Sequence, residues 1–125
     1  MTENKYTLAL DERIAKIEES LDDDKALDIV TLDIGKQSNF AQRMIVAVGE
    51  SQRQLVAMAY HLKSLFKEWN ETSSIEGLEV ESGWIVLDGG DIVIHLLLPE
   101  KRELYSIEKI WSAAFDKGSV EVVEG

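Results

Sequence analysis

The sequence predicts an α/β (α+β) fold: a mixed four- to five-stranded sheet with packed helices, in the order α-β-β-α-β-β-α. Three observations lead there. Apolar residues recur at helical spacing in two places, Leu10/Ile14/Ile17/Leu21 and Leu55/Met58/Ala59/Leu62/Leu65/Phe66/Trp69. Met44 to Val48 is apolar at every position, as a strand covered on both faces should be. Two further strand-like runs flank Asp88-Gly89-Gly90-Asp91, whose glycines tolerate the positive φ angles of a tight hairpin.

The first helix is expected over residues 8–23 and should stop at Asp22-Asp23-Asp24, because carboxylates oppose the dipole at a helix C-terminus. That cluster reads as a solvated exit, since three adjacent side chains cannot converge on one ion. Ala26 to Ile34 is rich in β-branched residues and predicts the first strand; Gly35 to Asn39 is a turn. After the central strand, Gly49-Glu50-Ser51 turns into the second helix, with Ser51 and Gln54 at capping-box spacing. The Met and aromatic stripe of that helix reads as core. Asn70 to Ser82 is polar and acidic and reads as a connecting loop. Trp84 to Leu87 and Ile92 to Leu98 form the hairpin strands, ended by Pro99. Ser106 can cap a last helix carrying Ile107, Ile110, Trp111 and Ala114, and residues 118–125 read as either a flexible tail or a short edge strand.

Bulk properties narrow the function. The 125 residues fit one domain, 1–125, and 45% of them are hydrophobic, enough for a core without staples. There is no cysteine, so disulfides, thiolate metal sites and cysteine nucleophiles are excluded. No apolar run approaches the roughly 20 residues of a membrane helix, and residues 1–13 lack a signal-peptide core. A soluble, cytoplasmic protein is expected. With 24 acidic and 13 basic residues the net charge is −11, which disfavours free nucleic-acid binding and favours a basic protein partner.

The sequence holds no P-loop, G-x-G-x-x-G, H-E-x-x-H or G-x-S-x-G motif. Of its two histidines, His61 lies beside the apolar stripe of the second helix with no partner at helical spacing, and reads as a surface or boundary residue. His95 interrupts an apolar strand and reads as hydrogen-bonded at a packing boundary. The best catalytic candidate is Asp88, Asp91 and His95, which in principle could hold a divalent metal. Turn chemistry explains both aspartates equally well, and alternation places 91, 93 and 95 on one face without implying chemistry. Gly49-Glu50-Ser51 is similar to the Gly-Ser turn of nucleotidyltransferases, but the acidic pair that would hold magnesium is not on the next strand. No cofactor and no catalytic residue is expected.

Four blocks then carry a resemblance: A-L-D-I-V-T-L-D-I at 26–34, M-I-V-A-V-G-E-S-Q-R-Q-L-V-A-M-A at 44–59, G-W-I-V-L-D-G-G-D-I-V-I-H at 83–95 and R-E-L-Y-S-I-E-K-I-W at 102–111. In this order, over about two-thirds of the sequence, they resemble the ribosomal silencing factor family, also called iojap-like. The resemblance implies a nucleotidyltransferase-like fold without catalysis. It implies binding to large-subunit ribosomal protein fourteen, steric blocking of small-subunit joining, silencing of translation under nutrient limitation, and a homodimer. Organelle relatives imply the alternative of large-subunit assembly. The family usually carries Ala-Asp-Tyr where this chain has Ala41-Gln42-Arg43, and a tyrosine where it has Gly89; the second difference is expected to change the turn more than the surface.

A blocking protein needs aromatic anchors and charged neighbours rather than bond chemistry. The expected partner-binding residues are Trp84, Asp88, Asp91, His95, Arg102, Tyr105 and Glu108. For Trp84 and Tyr105 contact and core readings both stand, whereas Trp111 reads as core. The aspartates and Glu108 suit Lys or Arg on a basic ribosomal protein, and Arg102 suits either the partner or an internal bond to Glu108 or Asp91.

Overall fold

Arg43–Val48 is the strand around which the sheet is built. The structure, a computed structural model, describes residues 9–35, 41–78, 83–101 and 121–123. Its elements are α1 (Leu10–Asp23), β1 (Leu27–Asp33), β2 (Arg43–Val48), α2 (Gln52–Glu68), β3 (Ser74–Glu76), β4 (Trp84–Asp88), β5 (Ile92–Leu97) and β6 (Glu121–Val123). The sheet runs β3-β4-β5-β2-β1-β6. Only β2 and β5 pair in parallel; the other neighbours are antiparallel. The mixed sheet is as predicted, but it has six strands. The strand beyond the expected four or five is β3, inside the stretch expected to be a loop. It is too short for a periodic signal, and it forms because Ile75 sits opposite Leu87 and joins the core edge. β6, which pairs with β1, is the edge-strand alternative expected within residues 118–125. The last predicted helix, from Ser106, lies outside the described residues.

Alternation along the strands separates two apolar layers. Ile45 and Ala47 of β2, Ile85 and Leu87 of β4, and Ile92, Ile94 and Leu96 of β5 face the helices. There they meet Ile14, Ile17 and Leu21 of α1 and Leu55, Met58, Ala59, Leu62 and Phe66 of α2. Phe66 and Trp69 close this core edge-to-face, with ring centroids 5.2 Å apart. On the opposite face, Leu32, Ile34, Ala41, Met44, Val46 and Leu97 form a second cluster, bordered by Val30, Trp84 and Val93.

Helix ends follow local chemistry. Ser51 Oγ accepts the Gln54 N–H at 3.1 Å, and Gln54 Oε1 accepts the Glu50 N–H at 2.8 Å, closing the predicted capping box one residue early. The other amide end of Gln54 donates to the Asp24 carbonyl at 2.9 Å, so the cap also ties α2 to the end of α1. That end is shaped by more than the acidic cluster: Lys25 is left-handed at φ 68°, and the Ala26 N–H returns to the Leu21 carbonyl at 2.9 Å. Asp24 is not simply solvated, as its carboxylate lies 2.7 Å from His61 Nδ1 on α2.

The hairpin turn corrects the expectation for its glycines. Only Gly90 has a positive φ, at 92°. Gly89 is required for space instead, because a Cβ there would lie 2.6 Å from Phe66 Cζ. Gly89→Ala is therefore expected to lower stability by about 1–3 kcal/mol by overpacking. Phe66→Leu should relieve part of that clash, so the double variant should lose less than the sum of the two single losses, measured by urea unfolding.

Candidate functional site

The β4–β5 hairpin presents two different surfaces, and the expected contact residues divide between them. Trp84, Val86 and Asp88 of β4 alternate with the core-facing Ile85 and Leu87, so they lie on the face away from the helices. Val93, His95 and Leu97 of β5 share that face, with Val86 opposite His95 and Asp88 opposite Val93. Trp84 Nε1 donates to His95 Nδ1 at 3.0 Å, and the rings sit 5.9 Å apart at a tilt of 53°. This bond fixes the imidazole as an acceptor at Nδ1, leaving its proton on Nε2. Burial removes solvent from the imidazolium and pushes the His95 pKa down from 6.5 to about 4. His95 is thus the hydrogen-bonded boundary histidine that the sequence suggested. Trp84 is half-buried, with features of both the contact and the core readings.

Asp88 is exposed, and its Oδ1 accepts the Gly90 N–H at 2.9 Å, which stiffens the turn from outside. Asp91 goes elsewhere. It precedes β5, so strand alternation does not reach it, and its carboxylate crosses to the helix side. Arg13 of α1 meets it through Nη1 at 3.1 Å and Nη2 at 2.5 Å. The same guanidinium donates to Glu71 Oε1 at 3.0 Å. The Asp88–Asp91–His95 constellation is therefore not assembled: Asp91 is bound to Arg13 and His95 to Trp84, on opposite faces. Arg102, Tyr105 and Glu108 lie outside the described residues.

Arg13 is the residue that reading the sequence for function passed over. Its side chain is 5% exposed, and its pKa is raised chiefly by the hydrogen bond to Asp91. A signal was available: Arg13 lies three residues after Leu10 and four before Ile17, inside the apolar stripe of α1. A charge in that position requires a partner. Thr31, fully buried on β1, is satisfied in the same way by Glu18 of α1, with a 2.6 Å hydrogen bond.

Gln42 and Arg43, at the entry to β2, also have internal partners. Both backbone N–H groups donate to the Asp91 carbonyl, at 2.8 and 3.1 Å. The Arg43 guanidinium lies 3.2 Å from Asp33 and 3.7 Å from Asp11, bridging β1 and α1. Gly49, the supposed phosphate turn, instead packs under α2: a Cβ there would stand 2.8 Å from Leu55 Cδ2.

The model of a family described as "Ribosomal silencing factor during starvation" matches residues 7–124. The chain belongs to the ribosomal silencing factor family. A ribosomal silencing factor from Zymomonas mobilis is 44% identical over 96 residues, 76% of this chain and 71% of that protein. A mouse relative named "Mitochondrial assembly of ribosomal large subunit protein 1" is 33% identical over 71% of this chain and 40% of its own length. A crystal structure of a protein from Chromobacterium violaceum superposes with a TM-score of 0.79 at 38% identity, covering 84% of this chain and 88% of that one. The silencing-factor fold is thereby established for this chain. In it Trp84, His95 and exposed Asp88 share one face of the hairpin, and the partly exposed Asp91 carboxylate is paired with Arg13.

Two consequences can be measured. Arg13→Ala leaves two carboxylates facing each other without their cation, and should cost about 2–4 kcal/mol in urea unfolding, whereas Arg13→Met, which keeps the packing stem, should cost less. For His95 the folded state favours the neutral ring, so its contribution is intact above pH 6.5 and is lost as pH falls through about 4. Between about pH 7 and about pH 4.5 the protein should lose on the order of 2 kcal/mol more than its His95→Gln variant, compared by urea midpoints.

Proposed function

We propose that this protein is a translational repressor that binds the large ribosomal subunit through ribosomal protein fourteen and sterically blocks joining of the small subunit under nutrient limitation. The observation that carries this reading is the family match across residues 7–124. The geometry supports it with a surface suited to docking. Trp84 is a rigid aromatic anchor, held by His95, and exposed Asp88 lies on the same face to pair with a basic neighbour. Asp91 acts as a positioning residue, holding the hairpin on Arg13. Arg102, Tyr105 and Glu108 complete the proposed contact set, in one domain spanning 1–125 that acts in the cytoplasm, as a monomer or homodimer. Such a mechanism asks only for affinity and position; no bond is made or broken.

A second reading, large-subunit assembly, is favoured by the name of the mouse relative. Profiling large-subunit precursors in a deletion strain separates the two: precursors accumulate if assembly is the role, and do not if mature particles are the target. A nucleotidyltransferase has no comparable support, because Asp88, Asp91 and His95 do not converge.

The repressor reading is tested with purified subunits. The protein should sediment with large subunits and slow subunit joining in light scattering. Trp84→Ala and Asp88→Lys should each weaken large-subunit binding by roughly ten-fold or more, a loss of about 1.4 kcal/mol or greater. Wild-type protein that neither sediments with large subunits nor slows joining would sink the proposal.

A further inference from the structure

The helix side of the sheet is electrically divided. The α1 sequence carries Asp11, Glu12, Glu18, Glu19, Asp22 and Asp23 against Arg13 and Lys16, a net charge of −4. The α2 sequence carries Arg53, Lys63 and Lys67 against Glu68 alone, a net charge of +2, in a chain of net −11. These α2 cations are not scattered. At about 100° per residue, Arg53, Tyr60, Lys63 and Lys67 fall within one quarter of the helix circumference, while His61 and Glu68 fall on the other flank. His61 marks that other flank as the one facing α1, through its 2.7 Å contact with Asp24.

Arg53, Lys63 and Lys67 are all exposed. Lys63 Nζ makes only a long, exposed hydrogen bond of 3.4 Å to the Ser73 carbonyl, and none of the three has a carboxylate within ion-pair distance among the described residues. Tyr60, in their midst, is 52% exposed, one of two large hydrophobic side chains so exposed among the described residues. From Arg53 to Lys67 the stripe runs about 21 Å along the helix. The core explains none of these residues, because Leu55, Met58, Ala59, Leu62 and Phe66 supply the buried face.

We infer that the outward face of α2 is a second docking surface, which contacts the phosphate backbone of ribosomal RNA when the protein sits on the large subunit. Cations spaced along a helix, interleaved with an exposed aromatic ring, suit phosphates and an unstacked base or sugar. The overall charge of −11 does not prevent this. At physiological salt, charges interact over about 8 Å, so a contact senses the stripe beneath it and little of α1. The net charge does set the order of events: free RNA is repelled, and the contact forms only once another surface has brought the particle close. This inference rests on the large-subunit reading proposed above and adds a nucleic-acid contact to it.

The test uses the full-length protein and a triple variant, Arg53→Glu, Lys63→Glu and Lys67→Glu, all at exposed positions. Affinity for purified large subunits is measured across a salt series, and affinity for isolated ribosomal protein fourteen is measured in parallel. The variant should bind the isolated protein as wild type does, bind large subunits at least about ten-fold more weakly at low salt, and show a salt slope shallower by about two, as expected for three lost phosphate contacts. Ultraviolet crosslinking of the wild type should join α2 to RNA. Equal affinity and slope for variant and wild type on large subunits, with both binding ribosomal protein fourteen, would overturn this inference alone. Crosslinks from α2 to ribosomal protein and not to RNA would also overturn it. Wild type that binds neither the isolated protein nor the particle would remove the proposed function and this inference together.

Discussion

Arg13 stands where three distant parts of the chain must meet. Its guanidinium, nearly out of contact with water, is met by a carboxylate 58 residues later and by another 78 residues later. The first, Glu71, follows α2; the second, Asp91, ends the hairpin turn. One side chain therefore fixes α1 against the exit of α2 and against the hairpin. Alone, a buried cation of this kind would cost several kcal/mol, and the two anions offset that cost only in this one arrangement. The apolar layers can tolerate small slides of a helix over a sheet, but a two-point hydrogen bond from Arg13 to Asp91 cannot.

The consequences spread from Asp91. Its side chain is held by α1, and its carbonyl accepts from both Gln42 and Arg43, the residues that lead into β2. The central strand thus enters the sheet in register with the hairpin, and the parallel pairing of β2 with β5 begins at Arg43 and Ile92. Arg43 in turn reaches Asp33 and Asp11, so a second set of ion pairs ties β2 to β1 and α1, next to the one that ties the hairpin to α1. On the far side of β4 and β5, the Trp84–His95 bond stiffens the surface offered to a partner. A steric blocker benefits from that rigidity, since less freedom is lost when it docks.

Much of this fold was legible in the residues. The two helices, the all-apolar central strand and the hairpin all announce themselves by period and turn chemistry, because those signals are local. The short strand β3 did not. With only Ile75 apolar in β3, there is no alternation to detect, and the pairing depends on β4 being nearby. Gly89 was misread for a related reason. Two adjacent glycines in a turn suggest two left-handed residues, but one of them is there to leave room for the Phe66 ring, which comes from another element. The site divides likewise. Trp84, Asp88 and His95 share one face as strand alternation says they should, whereas Asp91, one residue outside the strand, is freed from alternation and turns to the opposite side.

Taken by itself, the sequence determined the class of the fold, the apolar faces of its helices, the order of the blocks that mark its family, and the absence of thiol chemistry. Each of these is set by residue type and by spacing over a few turns or strand repeats. Only the tertiary structure decided which charges are partners. Asp91 became the anchor of Arg13, His61 found Asp24, and the cations of α2 were left together on an outward face beside an acidic neighbour. Charge pairing depends on distances of 3–4 Å between residues far apart in the chain, and no local pattern encodes which of 24 carboxylates a given cation will meet.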